Sequence, residues 1–462
     1  MSRSHFPEGF VWGTASSSYQ IEGAAYEGLK GPSVWDEFCR RPGAIANGDT
    51  GDVACDHYHR YEEDVDIMAR LGYPAYRFSV NWPRVLPDGT GRVYSEGLDF
   101  YDRLVDKLLS RNITPYVTIF HWEFPYALMK KGGWLNPDSP RWFAEYTQVI
   151  VDRLSDRVRN WITINEPQCF IVLGHYSGIH APGLRMTVKD VLTIIHNCFL
   201  AHGEAVKVIR GRAKTKPTIG LAMASRPSIP CTQSKEDIDA AREALFGISG
   251  QEGGLWSSAL WCDPLLLGRY PDDYYETYKD LIPEIKPGDF ETMAQPIDFL
   301  GLNIYSGSYV SMGPDRKPMV VPYRTGMPKA VNGWAVTPES LYWGPRLYYE
   351  HYRIPIYITE NGIANQDWVS LDGKVHDPQR IDYLQRYLME LDRAIADGTD
   401  VRGYFQWSIL DNFEWADGYD KRFGLVYVDF KTRERIIKDS AWWYANVIRT
   451  NGGALFDTKA VS

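Results

Sequence analysis

The sequence predicts an α/β fold in which a single (β/α)8 barrel, the TIM barrel, carries long loops after its strands. Eight short runs rich in valine, isoleucine, threonine and aromatic residues recur along the chain, and helical patterns separate them. The apolar residues of these runs do not alternate strictly with polar ones, which is typical of parallel strands covered on both faces. Because eight strand-helix units close a barrel, we expect the eight strand ends to share one mouth.

The predicted strands are residues 10–15, 75–80, 114–120, 160–165, 218–224, 298–305, 354–359 and 401–410. A helix follows the first of them, because Tyr61, Val65, Met68 and Leu71 fall on one face and Gly72 then supplies a C-terminal stop. The competing fold, a doubly wound sheet, usually carries a GxGxxG turn after its first strand. Here the first strand runs into Ala-Ser-Ser-Ser-Tyr-Gln, which favours the barrel.

The chain has 462 residues, against about 250 for a typical barrel of this class. We expect the surplus in loops, above all in the wide gaps after the first and fifth strands, where barrels build binding sites. No linker composition or fixed-period repeat divides the sequence. Residues 1–462 are therefore predicted to form one domain.

The charge balance excludes several classes of partner. With 50 Lys+Arg against 59 Asp+Glu, a net charge of −9 and no basic run, the chain lacks the positive potential that nucleic acids and anionic membranes require. We expect a small neutral or cationic ligand instead. The sequence has no run of about 18 apolar residues and no apolar signal-peptide core at its start. Six scattered cysteines are typical of reduced thiols, so a cytoplasmic location is expected.

Two glutamates follow predicted strands in matched contexts, Glu166 in TINEP and Glu360 in ITENG. Both should lie at the C-terminal mouth of the barrel, and two carboxylates at one mouth are what glycosidic cleavage requires. A single such glutamate would more often be an ion-pair partner or helix cap. No cation follows Glu166 closely, so burial and the other carboxylate should raise its pKa, as suits an acid. Arg77 in the second strand could keep Glu360 ionised, as suits a nucleophile.

Polar and aromatic residues at other strand ends could bind a sugar, which needs hydrogen bonds and a flat apolar face. They occur after or within five of the eight predicted strands, and the eighth strand is also followed by a carboxylate beside an indole. These residues are Gln20, His121, Trp122, Asn165, Asn303, Tyr305, Trp407, Glu414 and Trp415.

Seven motifs occur in a fixed order: FVWGTASSSYQIEG, RFSVNWPRVLP, HWEFP, TINEP, LGLNIY, ITENG and DNFEWADGYDKRFGLVYVDF. Together they resemble glycoside hydrolase family 1, the retaining β-glucosidase group, from about Phe10 to about Trp443. The resemblance implies a TIM barrel in which Glu166 is the acid/base and Glu360 the nucleophile. Neither a metal nor an organic cofactor is expected.

The resemblance also implies roles for the remaining residues. The non-reducing sugar would be held by Gln20, His121, Asn165, Trp407 and Glu414, with Trp415 beside Glu414. Arg77 and Tyr305 would bond the nucleophile, Asn303 would support the acid, Trp334 would form the platform on the leaving-group side, and Trp122 and Phe423 would be supporting residues. Gln168 stands where some members carry tryptophan, so the leaving-group preference stays open.

We therefore expect a retaining β-glucosidase that hydrolyses terminal non-reducing β-D-glucosyl residues of cello-oligosaccharides and of aryl and alkyl β-glucosides and releases glucose. Side activity on β-galactosides and β-fucosides, and transglycosylation, are also expected. A 6-phospho-β-glycosidase is an alternative that Glu414 disfavours, because a carboxylate repels a phosphate. A non-catalytic β-glycoside-binding barrel is the other alternative. Oligomeric state stays open.

Overall fold

A computed structural model of the chain describes residues 6–456. Its strands are β1 (Val11–Ala15), β2 (Ala75–Ser79), β3 (Thr114–Phe120), β4 (Asn160–Asn165), β5 (Thr218–Ser225), β6 (Ser228–Pro230), β7 (Phe299–Ile304), β8 (Ser308–Met312), β9 (Pro318–Val321), β10 (Ile356–Asn361), β11 (Val401–Trp407), β12 (Val426–Val428) and β13 (Arg435–Ile437). Eight of them are parallel and close a barrel in the order β1, β11, β10, β7, β5, β4, β3, β2. The predicted (β/α)8 barrel is confirmed.

Helices connect and cover these strands. The α-helices are Ser18–Ile21, Val34–Phe38, His57–Leu71, Trp82–Val85, Ser95–Ser110, Tyr126–Met129, Ser139–Leu154, Val188–Arg212, Lys235–Phe246, Gln251–Gly254, Ser258–Leu266, Asp272–Tyr278, Asp289–Met293, Ser340–Tyr352, Pro378–Ala396 and Asp439–Arg449. Short 3-10 helices span Ala46–Gly48, Gly133–Leu135, Lys279–Leu281, Trp415–Asp417 and Gly453–Phe456, and a π-helix spans Cys169–Tyr176. The helix predicted to end before Gly72 does so, with Gly72 at φ +73°.

All eight predicted strands exist, with differences at their ends. Strand β10 continues two residues past the predicted end, because Glu360 pairs with Asn303 of β7 and Asn361 with Gln406 of β11. Strand β11 ends three residues early, because the chain beyond Trp407 bonds to the following loop instead: Ser408 N donates to Phe423 O at 3.2 Å, and Leu410 forms a bridge with Val426. The small sheet β6, β8, β9 and the hairpin β12, β13 are not predicted from the sequence. These strands have three to five residues, too few to show a period.

Aromatic rings fill the barrel interior. Tyr116 lies 4.8 Å from Phe405 and 6.3 Å from Tyr357, and Phe299 lies 4.7 Å from Tyr357, measured between ring centroids. Glycines on neighbouring strands make room for them; at Gly13 a Cβ atom would lie 2.6 Å from the Phe405 ring. The interior is therefore a packed core, and space for a ligand is left to the strand ends and their loops.

The predicted single domain over residues 1–462 stays a prediction, since residues 1–5 and 457–462 lie outside the described part. Among residues 6–456, we find no helix long and apolar enough to cross a membrane.

Candidate active site

Both predicted carboxylates lie at C-terminal ends of barrel strands. Glu166 directly follows β4, and its backbone N–H donates to Ala222 O of β5 at 2.8 Å. Glu360 is the fifth residue of β10. Their exposed fractions are 9% and 4%, so both carboxyls are buried. Glu166 has φ +44°, a left-handed conformation that strains a residue with a side chain and that recurs at functional sites.

The Glu360 carboxylate contacts a cation and a hydroxyl. Arg77 Nη1 donates to Glu360 Oε1 at 2.8 Å and to Thr359 O at 2.9 Å, and Tyr305 OH donates to Glu360 Oε2 at 2.7 Å. Arg77 is 1% exposed, and its Nε donates to Thr118 Oγ1 at 3.1 Å, which fixes the guanidinium in the barrel interior. Each oxygen of Glu360 is thus held by a donor.

The Glu166 carboxylate is held by an amide. Asn303 Nδ2 donates to Glu166 Oε1 and to Asn165 Oδ1, each at 3.0 Å. Thr359 Oγ1 donates to Asn303 Oδ1 at 2.6 Å, which sets the orientation of the Asn303 amide and points its nitrogen at Glu166. Thr359, next to Glu360 in the chain, therefore orients the side chain that contacts the other carboxyl.

The two carboxyls differ in their surroundings. Burial and, second to it, the nearby Glu360 carboxylate together raise the pKa of Glu166 to about 8, as the sequence predicted. Burial also raises the pKa of Glu360, so its net shift is upward although Arg77 and Tyr305 lower it. Arg77 contacts Glu360 and lowers its pKa, but burial outweighs that effect, so the expectation that Arg77 keeps Glu360 ionised stays a prediction. Of the two carboxyls, only Glu360 accepts hydrogen bonds from a guanidinium and a phenol, so it is the carboxyl that ionises first.

Asn165 fixes the tautomer of His121. Asn165 Oδ1 accepts from Arg77 Nη2 at 2.5 Å, so its Nδ2 is the atom that meets His121 Nε2 at 3.1 Å. An amide nitrogen only donates, so Nε2 accepts. Burial keeps the pKa of His121 well below its ordinary value, so the ring is neutral and its proton is on Nδ1. That Nδ1 is buried and has no hydrogen-bond partner among the residues described.

A second polar group lies around Gln20, which is fully buried. Gln20 Nε2 donates to Asn412 Oδ1 at 3.0 Å, to Phe413 O at 2.8 Å and to Glu414 Oε2 at 3.3 Å. Ser17 Oγ donates to Gln20 Oε1 at 2.6 Å. Burial, followed by the charge of Asp417, raises the pKa of Glu414 well above its usual value. The loop after β11 thus meets the loop after β1 at this side of the mouth.

Aromatic rings line the same side. The His121 ring stacks near Trp407 at 5.8 Å and near Trp415 at 6.0 Å, and Trp122 lies 4.4 Å from Trp415. Trp122 Nε1 also donates to Asn165 O at 2.9 Å. Trp122 and Trp415 have φ of +86° and +49°, so with Glu166 three residues of this mouth are strained.

A more exposed aromatic wall stands next to Glu360. The Tyr305 ring lies 5.2 Å from Trp334 and 5.9 Å from Phe423. Trp334 is 40% exposed, so its ring is accessible at the outer part of the mouth. Gln168 takes no part in such a wall, because its amide is buried and pairs with the backbone of Ala224, each bond being 3.3 Å long.

The structure brings all fourteen predicted site residues to this mouth, in the contacts given above. Sequence reasoning missed Ser17, Thr359 and Asn412, which hold Gln20 or Asn303. Each is adjacent to, or within three residues of, a predicted site residue, but adjacency alone does not show which way a side chain points. Within residues 6–456, no cluster of three or more His, Cys, Asp or Glu side chains could hold a metal ion.

Comparison with known proteins identifies the family. The sequence profile of Glycosyl hydrolase family 1 matches residues 2–453. Beta-glucosidase A of Thermotoga maritima is 47% identical over 453 residues, covering 98% of this chain and 99% of its own. The 1,4-beta-D-glucan glucohydrolase of Thermotoga neapolitana is 47% identical over 448 residues, covering 97% and 99%. The solved structure of the Thermotoga maritima beta-glucosidase in complex with glucoimidazole superposes with a TM-score of 0.88 at 47% identity, covering 97% and 99%. The chain belongs to glycosyl hydrolase family 1.

Proposed function

We propose that this chain is a retaining β-glucosidase, which removes terminal non-reducing β-D-glucosyl residues from cello-oligosaccharides and from aryl and alkyl β-glucosides. One observation carries the proposal: two buried carboxyls share the barrel mouth, and their surroundings differ. Glu360 bonds Arg77 and Tyr305, whereas Glu166 bonds the neutral amide of Asn303. A retaining glycosidase needs this difference, since one carboxyl must be ionised and the other protonated.

In the first step, an oxygen of the Glu360 carboxylate attacks the anomeric carbon. The bond between that carbon and the leaving oxygen breaks, and Glu166 gives its proton to the leaving oxygen. The product is a covalent glycosyl ester of Glu360 and a free alcohol. The pKa of Glu166, about 8, leaves it protonated at neutral pH and therefore able to act as the acid.

In the second step, Glu166 works as a base. Once Glu360 is esterified its charge is gone, and the pKa of Glu166 falls because the neighbouring charge that raised it is absent. Glu166, now ionised, takes a proton from water while the water oxygen attacks the anomeric carbon. The ester bond breaks, glucose leaves with retained configuration, and Glu166 regains its proton. An alcohol in place of water gives transglycosylation.

The sugar is recognised by donors and acceptors already in place. The neutral His121 ring, the Gln20 amide and the Glu414 carboxyl bond the sugar hydroxyls, and Trp407 and Trp415 offer ring faces. Because such a set suits several hydroxyl orientations, we include β-galactosides and β-fucosides as slower substrates. Trp334 faces the leaving group.

The two alternatives are disfavoured for different reasons. A 6-phospho-β-glycosidase needs donors and positive charge where the phosphate binds, and Glu414 and Asp417 supply carboxyls instead. A non-catalytic binding barrel does not require one carboxyl beside a cation and a second carboxyl beside a neutral amide, as Glu360 and Glu166 are here. We propose a cytoplasmic location on the strength of six free cysteines, and the oligomeric state stays open.

The test is a proton NMR time course with p-nitrophenyl β-D-glucopyranoside. We expect β-glucose to appear before its α-anomer, as double displacement requires. Early α-glucose would show inversion and overturn the mechanism. If p-nitrophenyl 6-phospho-β-glucoside were the only substrate turned over, the chain would be a 6-phospho-β-glycosidase. Binding of cellobiose with no turnover of any β-glycoside would favour the non-catalytic barrel.

A further inference from the structure

Glu123 is a buried carboxyl that the mechanism above does not use. It lies on the loop after β3, two residues beyond His121, and its exposed fraction is 0%. Burial raises the pKa of Glu123 to about 8, so the carboxyl is largely protonated at neutral pH. Its Oε2 atom is buried and has no hydrogen-bond partner within the described part of the chain.

The other oxygen of Glu123 holds the loop after β1. Glu123 Oε1 accepts from Tyr19 N at 2.8 Å and from Ser18 Oγ through a short bond. Ser18 is held from its other side by β2, since Ser18 N donates to Ser79 Oγ at 2.8 Å and Ser79 Oγ donates to Ser18 Oγ at 3.0 Å. The start of this loop is thus clamped between Glu123 and Ser79.

This clamp sets the position of Gln20. Residues Ser18–Ile21 form a helix of a single turn, which is too short to be stable without outside contacts. The N–H of Tyr19 belongs to that first turn and has no acceptor inside the helix, so Glu123 satisfies it. Gln20 comes next in the chain and directs its amide to Phe413 O at 2.8 Å.

A filler of the core would not need a carboxyl here. An apolar side chain could fill the same space, but it would leave the buried Tyr19 N–H and the Ser18 hydroxyl without this acceptor, so the carboxyl serves the loop after β1. Glu123 also joins two sugar-binding loops, because its own loop carries His121 and its partners precede Gln20. We propose that Glu123 is a positioning residue that holds Gln20 in the geometry required to recognise the non-reducing sugar. This inference rests on the proposed β-glucosidase function.

A double-mutant cycle tests it. We would measure kcat and KM for p-nitrophenyl β-D-glucopyranoside in the wild type, Glu123→Ala, Gln20→Ala and the double variant. We expect Glu123→Ala to lower kcat/KM by about tenfold, as the loss of a well-placed hydrogen bond to the sugar does. In the Gln20→Ala background the same change should have little further effect, because the residue it positions is gone. Trp334 is not positioned by Glu123, so in a Trp334→Ala background the fold-losses of kcat/KM from the two changes should multiply.

Conservative and control variants separate positioning from folding. Glu123→Gln keeps the acceptor for Ser18 and Tyr19 and should restore most of the activity. Ser18→Ala removes the hydroxyl that bonds Glu123 and Ser79, and it should show the same coupling to Gln20. This variant tests the inference if Glu123→Ala does not fold. Asp263→Asn is the control at a buried carboxyl outside the active site. Asp263 accepts from Tyr352 OH, and this change should leave kcat/KM unchanged.

Independent effects of Glu123 and Gln20, or a Glu123→Gln variant no better than Glu123→Ala, would overturn the inference. So would an unchanged kcat/KM in Glu123→Ala. Absence of β-glucoside turnover in the wild type is a different result, because it would refute the proposed function before any variant is compared.

Discussion

Arg77 joins the two halves of the catalytic mouth through a buried ion pair with Glu360, 2.8 Å between Nη1 and Oε1. The same guanidinium donates through Nη2 to Asn165 Oδ1, and Asn165 in turn contacts His121. One cation therefore lowers the pKa of the proposed nucleophile and also fixes an amide that orients a sugar-binding histidine. Changes at Arg77 should consequently affect both the chemistry and the binding of the sugar.

Arg77→Met should remove the cation while keeping an unbranched side chain. The pKa of Glu360 should rise, because burial would then act without the opposing charge. The acidic limb of the kcat/KM profile should move to higher pH, since ionised Glu360 is needed. The rate should fall by about 10²–10³-fold, as on loss of one electrostatic stabiliser. Arg77→Lys retains a positive charge, so its acidic limb should lie closer to that of the wild type than the limb of Arg77→Met does. A shift of the limb to lower pH would contradict the role given to Arg77.

Glu166→Gln should separate substrates by their leaving groups. Alkyl and poor aryl β-glucosides should lose about 10²–10⁴-fold in rate, because they depend on the proton. A 2,4-dinitrophenyl β-glucoside, whose leaving group needs no proton, should keep most of its first-step rate. The alkaline limb near the Glu166 pKa of about 8 should also disappear. Equal losses for both kinds of substrate would argue against an acid role.

The same variant should change the pH dependence of stability. The folded chain holds the Glu166 proton up to pH about 8, whereas an unfolded glutamate releases it near its ordinary pKa. The stabilisation from this group is therefore complete below the ordinary glutamate pKa of about 4 and is lost as pH rises from there through about 8. Thermal unfolding of Glu166→Gln should depend less on pH over that interval than unfolding of the wild type does.

The barrel and the identity of its site residues could be predicted from the sequence because both depend on local signals. Apolar runs mark strands, and in a barrel the residue after a strand lies at the mouth, as Glu166 does. The sequence predicts an end of β10 that is two residues too early because Glu360 and Asn361 are poor strand formers, and pairing with β7 and β11 overrides that preference. The bonds that orient the site could not be predicted. Thr359 with Asn303, or Glu123 with Ser18, join separate strands through side-chain directions that no local pattern encodes.

Gln168→Trp should build an aromatic wall on the leaving-group side. Gln168 pairs with the backbone of Ala224, and neither alanine nor tryptophan at this position can reproduce that pair of bonds. Gln168→Ala is therefore the matched control, and both variants should lose about 1–2 kcal/mol of unfolding free energy. Relative to that control, the tryptophan should lower KM for aryl β-glucosides several-fold by stacking on the aryl ring. Equal KM values would place residue 168 away from the leaving group.

Lys438→Met should destabilise the fold. Lys438 is fully buried, and its Nζ lies 2.7 Å from Asp411 and 2.5 Å from Asp367, which Arg380 also contacts at 2.8 Å. Removing Lys438 takes a buried cation from both carboxylates, which keep only Arg380 and Arg422 as partners, at a cost of about 3–5 kcal/mol. Lys235→Met breaks an exposed pair with Asp239 and should leave the unfolding midpoint unchanged. Equal midpoints for the two variants would contradict the structural role of Lys438.

Glu360→Gly should abolish turnover and leave a cavity that a small anion can fill. We expect the rate to fall by on the order of 10⁴-fold or more, because no covalent intermediate can form. Azide should restore turnover of 2,4-dinitrophenyl β-glucoside by attacking from the position of the missing carboxylate, and it should give α-glucosyl azide. Glu414→Ala, which also removes a carboxyl from the mouth, should not respond to azide, because its nucleophile is intact. Near wild-type activity in Glu360→Gly, or β-glucosyl azide as its product, would show that Glu360 is not the nucleophile.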